Sequence, residues 1–442
     1  MDLLIQLLPL FMLVALMGIV LIGFPVAFSI GALALMFGLP TLGIDFFSLW
    51  TLRIWGVMSN FLLVAVPLFV YMGVMLEQSG LAEDLLETMA ILLRRVPGGM
   101  AIAVTAMGAV LAASTGIIGA TVVTMAVLAL PPMLRRGYSP QLATGTICAS
   151  GTLGQIIPPS IVLLLLASIA NNQAVNVGKL FFAAFLPGAL LTGLYMVYII
   201  IYATLHPDKA PPIEIDASEL AFKKLFVRSV KALVPPALLI LSVLGSIFFG
   251  LASPTEAAGV GAFGATLLAT INGRLNWPVL RNVMLSTLRF TSMVFTILTG
   301  AAAFGLVFRG LHGDVLLRTF FLGLNVDTWV VLTIVMAVLF ILGFFLDFIE
   351  ITFIHIPILV PIMIELGVDP LWFMVLVAIN LQTSFLTPPF GFALFYLKGA
   401  APPEVELKHI YQGIIPFVIV QLIGLALVIL FPQIALWLPQ FL

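Results

Sequence analysis

GMAIAVTAMGAVLAASTGIIGATVVTMAVLALPPMLRRGYSPQLATGTICASGTLGQIIPPS, residues 99–160, contains two short hydrophobic runs and a longer third run interrupted at Pro158-Pro159. The first run, Met100 to Ala113, stops at Ser114-Thr115-Gly116, and the second, Ile117 to Leu134, stops at Arg135-Arg136. A helix needs about 20 apolar residues, each rising 1.5 Å, to cross roughly 30 Å of hydrocarbon. Both runs fall short, and paired arginines, Arg94-Arg95 and Arg135-Arg136, flank them. With both pairs on one side of a bilayer, the runs form a re-entrant hairpin whose tip is Ser114-Thr115-Gly116.

The same layout returns 230 positions later. Pro131 meets Pro361, Pro140 meets Pro370, and Pro158-Pro159 meets Pro388-Pro389. Gly31 meets Gly261, Gly80-Leu81 meets Gly310-Leu311, Asp84 meets Asp314 and Gly137 meets Gly367. Proline and glycine mark backbone events, so the duplicated feature is a pattern of breaks. The second hairpin, Thr328 to Glu365, is bracketed by Asn325, Asp327, Glu365 and Asp369 with no adjacent base. Short cytoplasmic loops attract Lys and Arg. The two hairpins therefore enter from opposite faces, and the repeat is inverted.

Composition agrees. Of 442 residues, 62% are hydrophobic and 8% charged, well above the soluble average of about 45–50% apolar. The apolar runs exceed what one soluble core can use, and strand-like alternation is missing, so an all-α polytopic membrane protein is expected rather than a β-barrel. A formal charge of -1 gives no reason to expect nucleic acid, and the single cysteine, Cys148, excludes an internal disulfide framework. Leu3 to Ile22 follows Met1-Asp2 without a basic n-region and reads as a retained first span.

Threading these elements gives a first repeat over 1–205, with spans within 3–78, an amphipathic interfacial helix at 80–93, a hairpin at 98–134, a broken helix at 140–170 and a span at 180–205. The first repeat includes one continuous span from Ile54 to Leu76. A hydrophilic cytoplasmic linker follows at 206–231. The second repeat, 232–442, has spans within 232–308, an interfacial helix at 310–322, a hairpin at 328–365, a broken helix at 370–398 and a final span at 410–438. Both termini then lie outside, and of the 18 Lys and Arg only Arg53, Lys179, Arg309 and Arg318 fall on the outer side.

Inverted repeats with discontinuous helices place ion and substrate sites near the midplane, because unwound backbone is tolerated in a membrane only where it is buried or lines a wet cavity. Freed carbonyls and hydroxyls suit a hard cation such as Na⁺. One candidate ion site joins Ser114, Thr115 and Gly116 with Ser150, Gly151 and Thr152. Its counterpart joins Gly343 and Asp347 with Asn380, Thr383, Thr387 and Gly391. Gly119, Pro158, Pro159, Ser160, Glu350, Pro388 and Pro389 are candidates for the substrate cavity.

Asp347 and Glu350 stand out because carboxylates are costly within apolar runs; three residues apart, they would share one helix face. The bland alternative is a structural hydrogen bond, or pairing with His355 or an arginine. Small and hydroxylated residues also serve helix packing. Glu77 reads as snorkelling at an interface, and Thr255-Glu256 as a helix cap. The four histidines lack metal-ligand spacing, and HExxH, P-loop and Gly-x-Ser-x-Gly patterns are absent, so an enzyme is not expected.

The chain resembles, over nearly its whole length, the large membrane subunit (M subunit, DctM type) of tripartite ATP-independent periplasmic (TRAP) transporters. The resemblance is carried by GFPVAF at 23–28, VPLFVYMGVMLEQSGLAEDL at 66–85, GGMAIA at 98–103 and RRGYSPQLATGTICASGTLGQIIPPS at 135–160. SPTEAAGVGAFGA at 253–265 and LTPPFGFALFYLKG at 386–399 complete it. The tip departs from the family's usual Ser-Gly-Ser, reading Ser114-Thr115-Gly116.

The resemblance implies uptake of an organic acid across a bacterial inner membrane by an elevator-like motion, with Na⁺ as coupling ion and no other cofactor. It also implies two partners, a four-helix small membrane subunit (Q) and a periplasmic substrate-binding protein (P). LGFFLDFIEI at 342–351 is similar to a subgroup linked to mannitol or chloroaromatic compounds and to 2-oxo acids. A stand-alone Na⁺/dicarboxylate symporter or antiporter of the divalent-anion family shares the hairpin design, but its Ser-Asn-Thr tip signature is found at neither tip here.

Overall fold

In a computed structural model the 230-residue offset reappears as matched helices, described over residues 2–116, 118–170, 175–212, 222–324 and 326–442. Among these residues the chain is helical without strands, and seven helices are long and apolar enough to cross a membrane. The first hairpin is Gly99–Thr115 and Ile118–Arg135; the second opens with Thr328–Leu342 and returns through Phe348–Glu350, Ile351–His355 and Ile356–Glu365. Each precedes an interrupted helix. Pro140–Thr152 tightens into a 3₁₀ turn, Leu153–Gln155, and resumes as Ile161–Ala170; Pro370–Leu386 resumes as Phe392–Ala400. Both prolyl pairs, Pro158–Pro159 and Pro388–Pro389, have cis peptide bonds.

Each interrupted helix begins with a side-chain cap followed by proline, whose missing N–H costs nothing there. Ser139 Oγ accepts from Leu142 N at 3.3 Å and Asp369 Oδ1 from Trp372 N at 2.9 Å. The two capping residues are themselves repeat mates.

The outer spans exchange partners between halves. Val26–Leu42 packs on Trp277–Gly310, while its mate Pro254–Ile271 packs on Ala65–Gln78. Tyr71 and Thr266 hydroxyls, 3.0 Å apart, join the latter pair. The amphipathic helices Leu81–Leu92 and Gly313–Gly323 cross over in the same manner, the first onto Phe222–Phe248 and the second onto Asp2–Ile22. Arg228 donates to Glu87 across the first crossing. Around the interrupted helices lie Val177–Leu205 and Leu407–Leu430. Pro140–Thr152 and Leu407–Leu430 cross backbone to backbone, since a Cβ on Gly145 would collide with Gly413 O. Small residues permit this close approach where no water drives helices together.

Several boundaries differ from the sequence expectation. The expected span from Ile54 to Leu76 is two helices, Ser48–Met58 and Ala65–Gln78, divided at Ser59-Asn60 and a short turn, Phe61–Val64. Asn60 caps that turn by accepting from Leu62 N at 3.1 Å, which draws the chain out of the helix. The matching stretch of the second half is one continuous helix, Trp277–Gly310. The helix expected from Ala232 begins at Phe222, within the expected linker, whose residues 213–221 lie outside the described set. The last span ends at Leu430, where Pro432 turns the chain into two short helices, Gln433–Leu436 and Leu438–Phe441.

Candidate functional site

Both hairpin tips sit on the breaks of their own repeat. At the first tip Gly116 adopts φ +58°, the left-handed region that favours glycine, and its Cβ position is 3.0 Å from Ile161 Cγ1, where the interrupted helix resumes. The Ser114 and Thr115 side chains lie outside the described residues, so the hydroxyls expected there have no described geometry. At the second tip a Cβ on Gly343 would collide with Ser384 Oγ, so the turn rests directly on the end of Pro370–Leu386. Phe345 and Phe390, with centroids 5.1 Å apart, close over that contact.

Repeat mates make equivalent bonds behind the tips. Ser150 Oγ donates to Thr105 Oγ1 at 3.2 Å, and its mate Asn380 donates through Nδ2 to Met336 O at 2.8 Å. Each ties an interrupted helix to the first arm of its hairpin. Gly151 admits the second arm, since its Cβ position is 2.5 Å from Val122 Cγ2. Thr383 and Thr387 donate back to Ile379 O and Thr383 O, both at 2.8 Å, which leaves the hydroxyl lone pairs unused by these bonds. Ser160 Oγ donates to Gln155 O at 2.8 Å, and Gly391 N to Thr387 O at 3.1 Å.

The two halves meet between the breaks. Thr152 Oγ1 accepts from Gln382 Nε2 at 3.4 Å. The ring of Tyr396, from the second half, lies over Gly119 of the first hairpin, with the Cβ position 3.0–3.2 Å from ring atoms. The breaks differ in cover: Pro158 and Pro159 are buried, whereas Pro389 and Phe390 are exposed.

Asp347 and Glu350 do not share a helix face. Asp347 is the N-cap, its Oδ1 accepting from Phe348 N at 2.7 Å, and Glu350 reaches back to accept from Asp347 N. The aspartate lies before the helix, so three-residue spacing makes a capping box instead of a carboxylate pair. Neither forms an ion pair among the described residues. A five-residue π stretch, Ile351–His355, follows, with Thr352 Oγ1 and His355 Nδ1 buried and without a hydrogen-bond partner among the described residues.

Glu77 does not snorkel: it accepts from Thr124 on the hairpin's second arm. Ser253, rather than Thr255, caps its helix, with Glu256 completing the capping box, while Thr255 Oγ1 donates to Phe61 O at 3.1 Å. Gln155 and Gln382 fall within the broken stretches without being singled out, and sequence reasoning gives no role to Tyr195 or Gln421; all four are buried. Tyr195 donates to Gln421 Oε1 and neighbours Gln382, and both side-chain polar atoms of Gln155 lack partners among the described residues. The available signal is an amide or phenol inside an apolar run, which at Tyr195 and Gln421 lies away from the duplicated proline breaks.

Paired hairpins seated on paired interrupted helices define a membrane permease of the discontinuous-helix type. The chain belongs to the family of the DctM component of the tripartite ATP-independent periplasmic transporter, whose pattern it matches over residues 13–434. It is 30% identical over 392 residues to the C4-dicarboxylate TRAP transporter large permease protein DctM of Pseudomonas aeruginosa, covering 88% of this chain and 89% of that one. It is 29% identical to the sialic acid TRAP transporter large permease protein SiaM of Vibrio cholerae, with 96% of each chain covered. With the isethionate TRAP transporter permease protein DctMQ of Oleidesulfovibrio alaskensis it shares 30% identity over 94% of this chain and 64% of that one. In fold it is similar to the YdaH transporter of Alcanivorax borkumensis, at a TM-score of 0.65 and 17% identity over 98% of both chains. The family is one of transporters and not enzymes.

Proposed function

We propose that this chain is the large permease subunit of a complex importing an organic acid, a carboxylate such as a 2-oxo acid, across the bacterial inner membrane. In this reading Na⁺ drives uptake, a periplasmic binding protein delivers the acid, and a four-helix small subunit completes the membrane complex. Support comes from family membership and from relatives named for C4-dicarboxylate, sialic acid and isethionate, all of them anions. The fused relative named DctMQ supports a partner subunit.

The carrying observation is that each tip rests on a break of its own repeat, while the two repeats touch at Thr152 and Gln382. Residues 1–205 and 232–442 would be the inverted copies, joined by 206–231, with both termini periplasmic. Hairpins and interrupted helices would travel as one body against the exchanged outer spans. One Na⁺ would be held by Ser114, Thr115 and Gly116 with Ser150–Thr152. A second would be held by Gly343 and Asp347 with Asn380, Thr383, Thr387 and Gly391. Gly119, Pro158, Pro159, Ser160, Glu350, Pro388 and Pro389 would border the cargo.

Reconstitution in proteoliposomes with the small subunit and binding protein tests this reading. Organic-acid uptake should need an inward Na⁺ gradient and the loaded binding protein. Uptake that proceeds equally without the binding protein would favour a stand-alone symporter, and uptake indifferent to Na⁺ would remove the coupling ion.

A further inference from the structure

A cavity of about 860 Å³ opens between the outer spans and the second arm of the second hairpin. One wall is formed by Ser48–Met58, Trp277–Gly310 and Gly313–Gly323, and the facing wall includes Ile354 and Ser168. Three of the four cations expected on this face, Arg53, Arg309 and Arg318, line it. Arg309 folds back over Gly305, whose Cβ position is 3.7 Å from its Nη2, and shares the cavity wall with Arg53 and Asp314. Arg318 is engaged by Glu365 at 2.5–2.6 Å, and among the described residues Asp314 is the only carboxylate on the wall. Arg53 and Arg309 thus face one carboxylate, leaving one positive charge uncompensated.

The duplication gives this cluster meaning. The repeat mates of Arg53, Arg309 and Arg318 are Val283, Ser79 and Thr88. All three are buried and uncharged, at 0%, 1% and 0% exposure. One copy of a duplicated module therefore carries guanidiniums at an open crevice where the other carries a closed, neutral contact. Helix packing asks for neither the charge nor the asymmetry. Like charges lining one cavity repel, and a low-dielectric cleft with an excess of one sign concentrates ions of the other. Guanidinium forks match carboxylate or sulfonate oxygens.

The geometry points to an anion-capture site, formed by Arg53 and Arg309 on the outer spans, that engages a carboxylate or sulfonate before it reaches the hairpin tips. That the captured anion is the cargo rests on the transport reading above; the anion site itself does not. It serves one face only, giving a structurally symmetric module a preferred side of loading.

The test uses the full chain with a thiol probe, against a native Cys148 that is fully buried. The Gly56→Cys variant, on the cavity wall with open space around the new side chain and with both arginines kept, is labelled with a sulfonate-bearing and with a trimethylammonium-bearing methanethiosulfonate. The anionic reagent should react several-fold faster relative to the cationic one than it does with free thiol. Adding Arg309→Gln should erase that preference, and Arg309→Lys should keep it. A rate ratio indifferent to Arg309→Gln, or an introduced thiol that reacts with neither reagent, overturns the site.

A second arm measures uptake of succinate, N-acetylneuraminate and isethionate by the reconstituted complex. Arg309→Gln should raise KM about tenfold with little change in maximal rate, while Lys179→Gln, on the same face but away from the cavity, should not. Transport with an unaltered KM in Arg309→Gln would refute capture of cargo while leaving the transporter reading intact. Failure of the wild type to take up any of the three anions, with the labelling preference present, would count against that reading and not against the site.

Discussion

Thr152 and Gln382 are the same position of the two repeats, 230 residues apart, and they touch: Gln382 Nε2 donates to Thr152 Oγ1 at 3.4 Å. A residue meets its own repeat mate only beside the axis that relates the copies. The flanking mates, Val177–Leu205 and Leu407–Leu430, also pack on one another, so the axis passes through this polar contact. The bond is long and neutral. A double-mutant cycle with Thr152→Val and Gln382→Leu should therefore give a coupling of about 0.5–1 kcal/mol in thermal unfolding. Strict additivity would show that the halves meet there without energetic consequence.

Gly343 has no room for a side chain, because Ser384 Oγ overlaps its Cβ site and Ser384 Cβ lies only 2.7 Å from it. Gly343→Ala should destabilise the second tip by about 1–3 kcal/mol, the usual cost of overpacking. Adding Ser384→Gly should recover most of it. A wild-type melting temperature for Gly343→Ala would contradict the seating of this tip.

Glu77 and Thr124 join an outer span to the first hairpin's second arm. Under the proposed motion this contact breaks in every cycle. Cysteines at both positions bridged by mercuric ion should stop uptake, and thiol should restore it. Each single cysteine variant should survive the same treatment. Undiminished uptake in the bridged protein would mean that hairpin and span move together.

Thr387 donates to Thr383 O and keeps its hydroxyl lone pairs for another partner. Thr387→Ala should raise the Na⁺ concentration for half-maximal uptake about tenfold, equivalent to about 1.4 kcal/mol, with normal expression. Thr387→Ser should restore it. Equal Na⁺ dependence in all three proteins would reject the threonine as a ligand.

The duplicated breaks were legible because proline and glycine report backbone events whatever surrounds them. Pro140 and Pro370, and both prolyl pairs, fall where the helices begin or part. The division at Ser59-Asn60 was hidden, since one asparagine cap leaves no mark on hydropathy and the matching helix runs unbroken. Asp347 was singled out for its burial cost, but its role as an N-cap depends on where the turn ends. Glu77 was misread because its partner Thr124 lies 47 residues away. The amides at Gln155, Gln382 and Gln421 acquire significance only when helices from opposite halves enclose them.

The inverted arrangement is tested most directly at the outer ends of the hairpins, with Arg136→Cys beyond the first and Val326→Cys before the second, both exposed positions. A membrane-impermeant maleimide is applied to right-side-out and to inside-out vesicles. The account predicts that Val326→Cys labels only in right-side-out vesicles and Arg136→Cys only in inside-out ones. Labelling of both from the same side would contradict it.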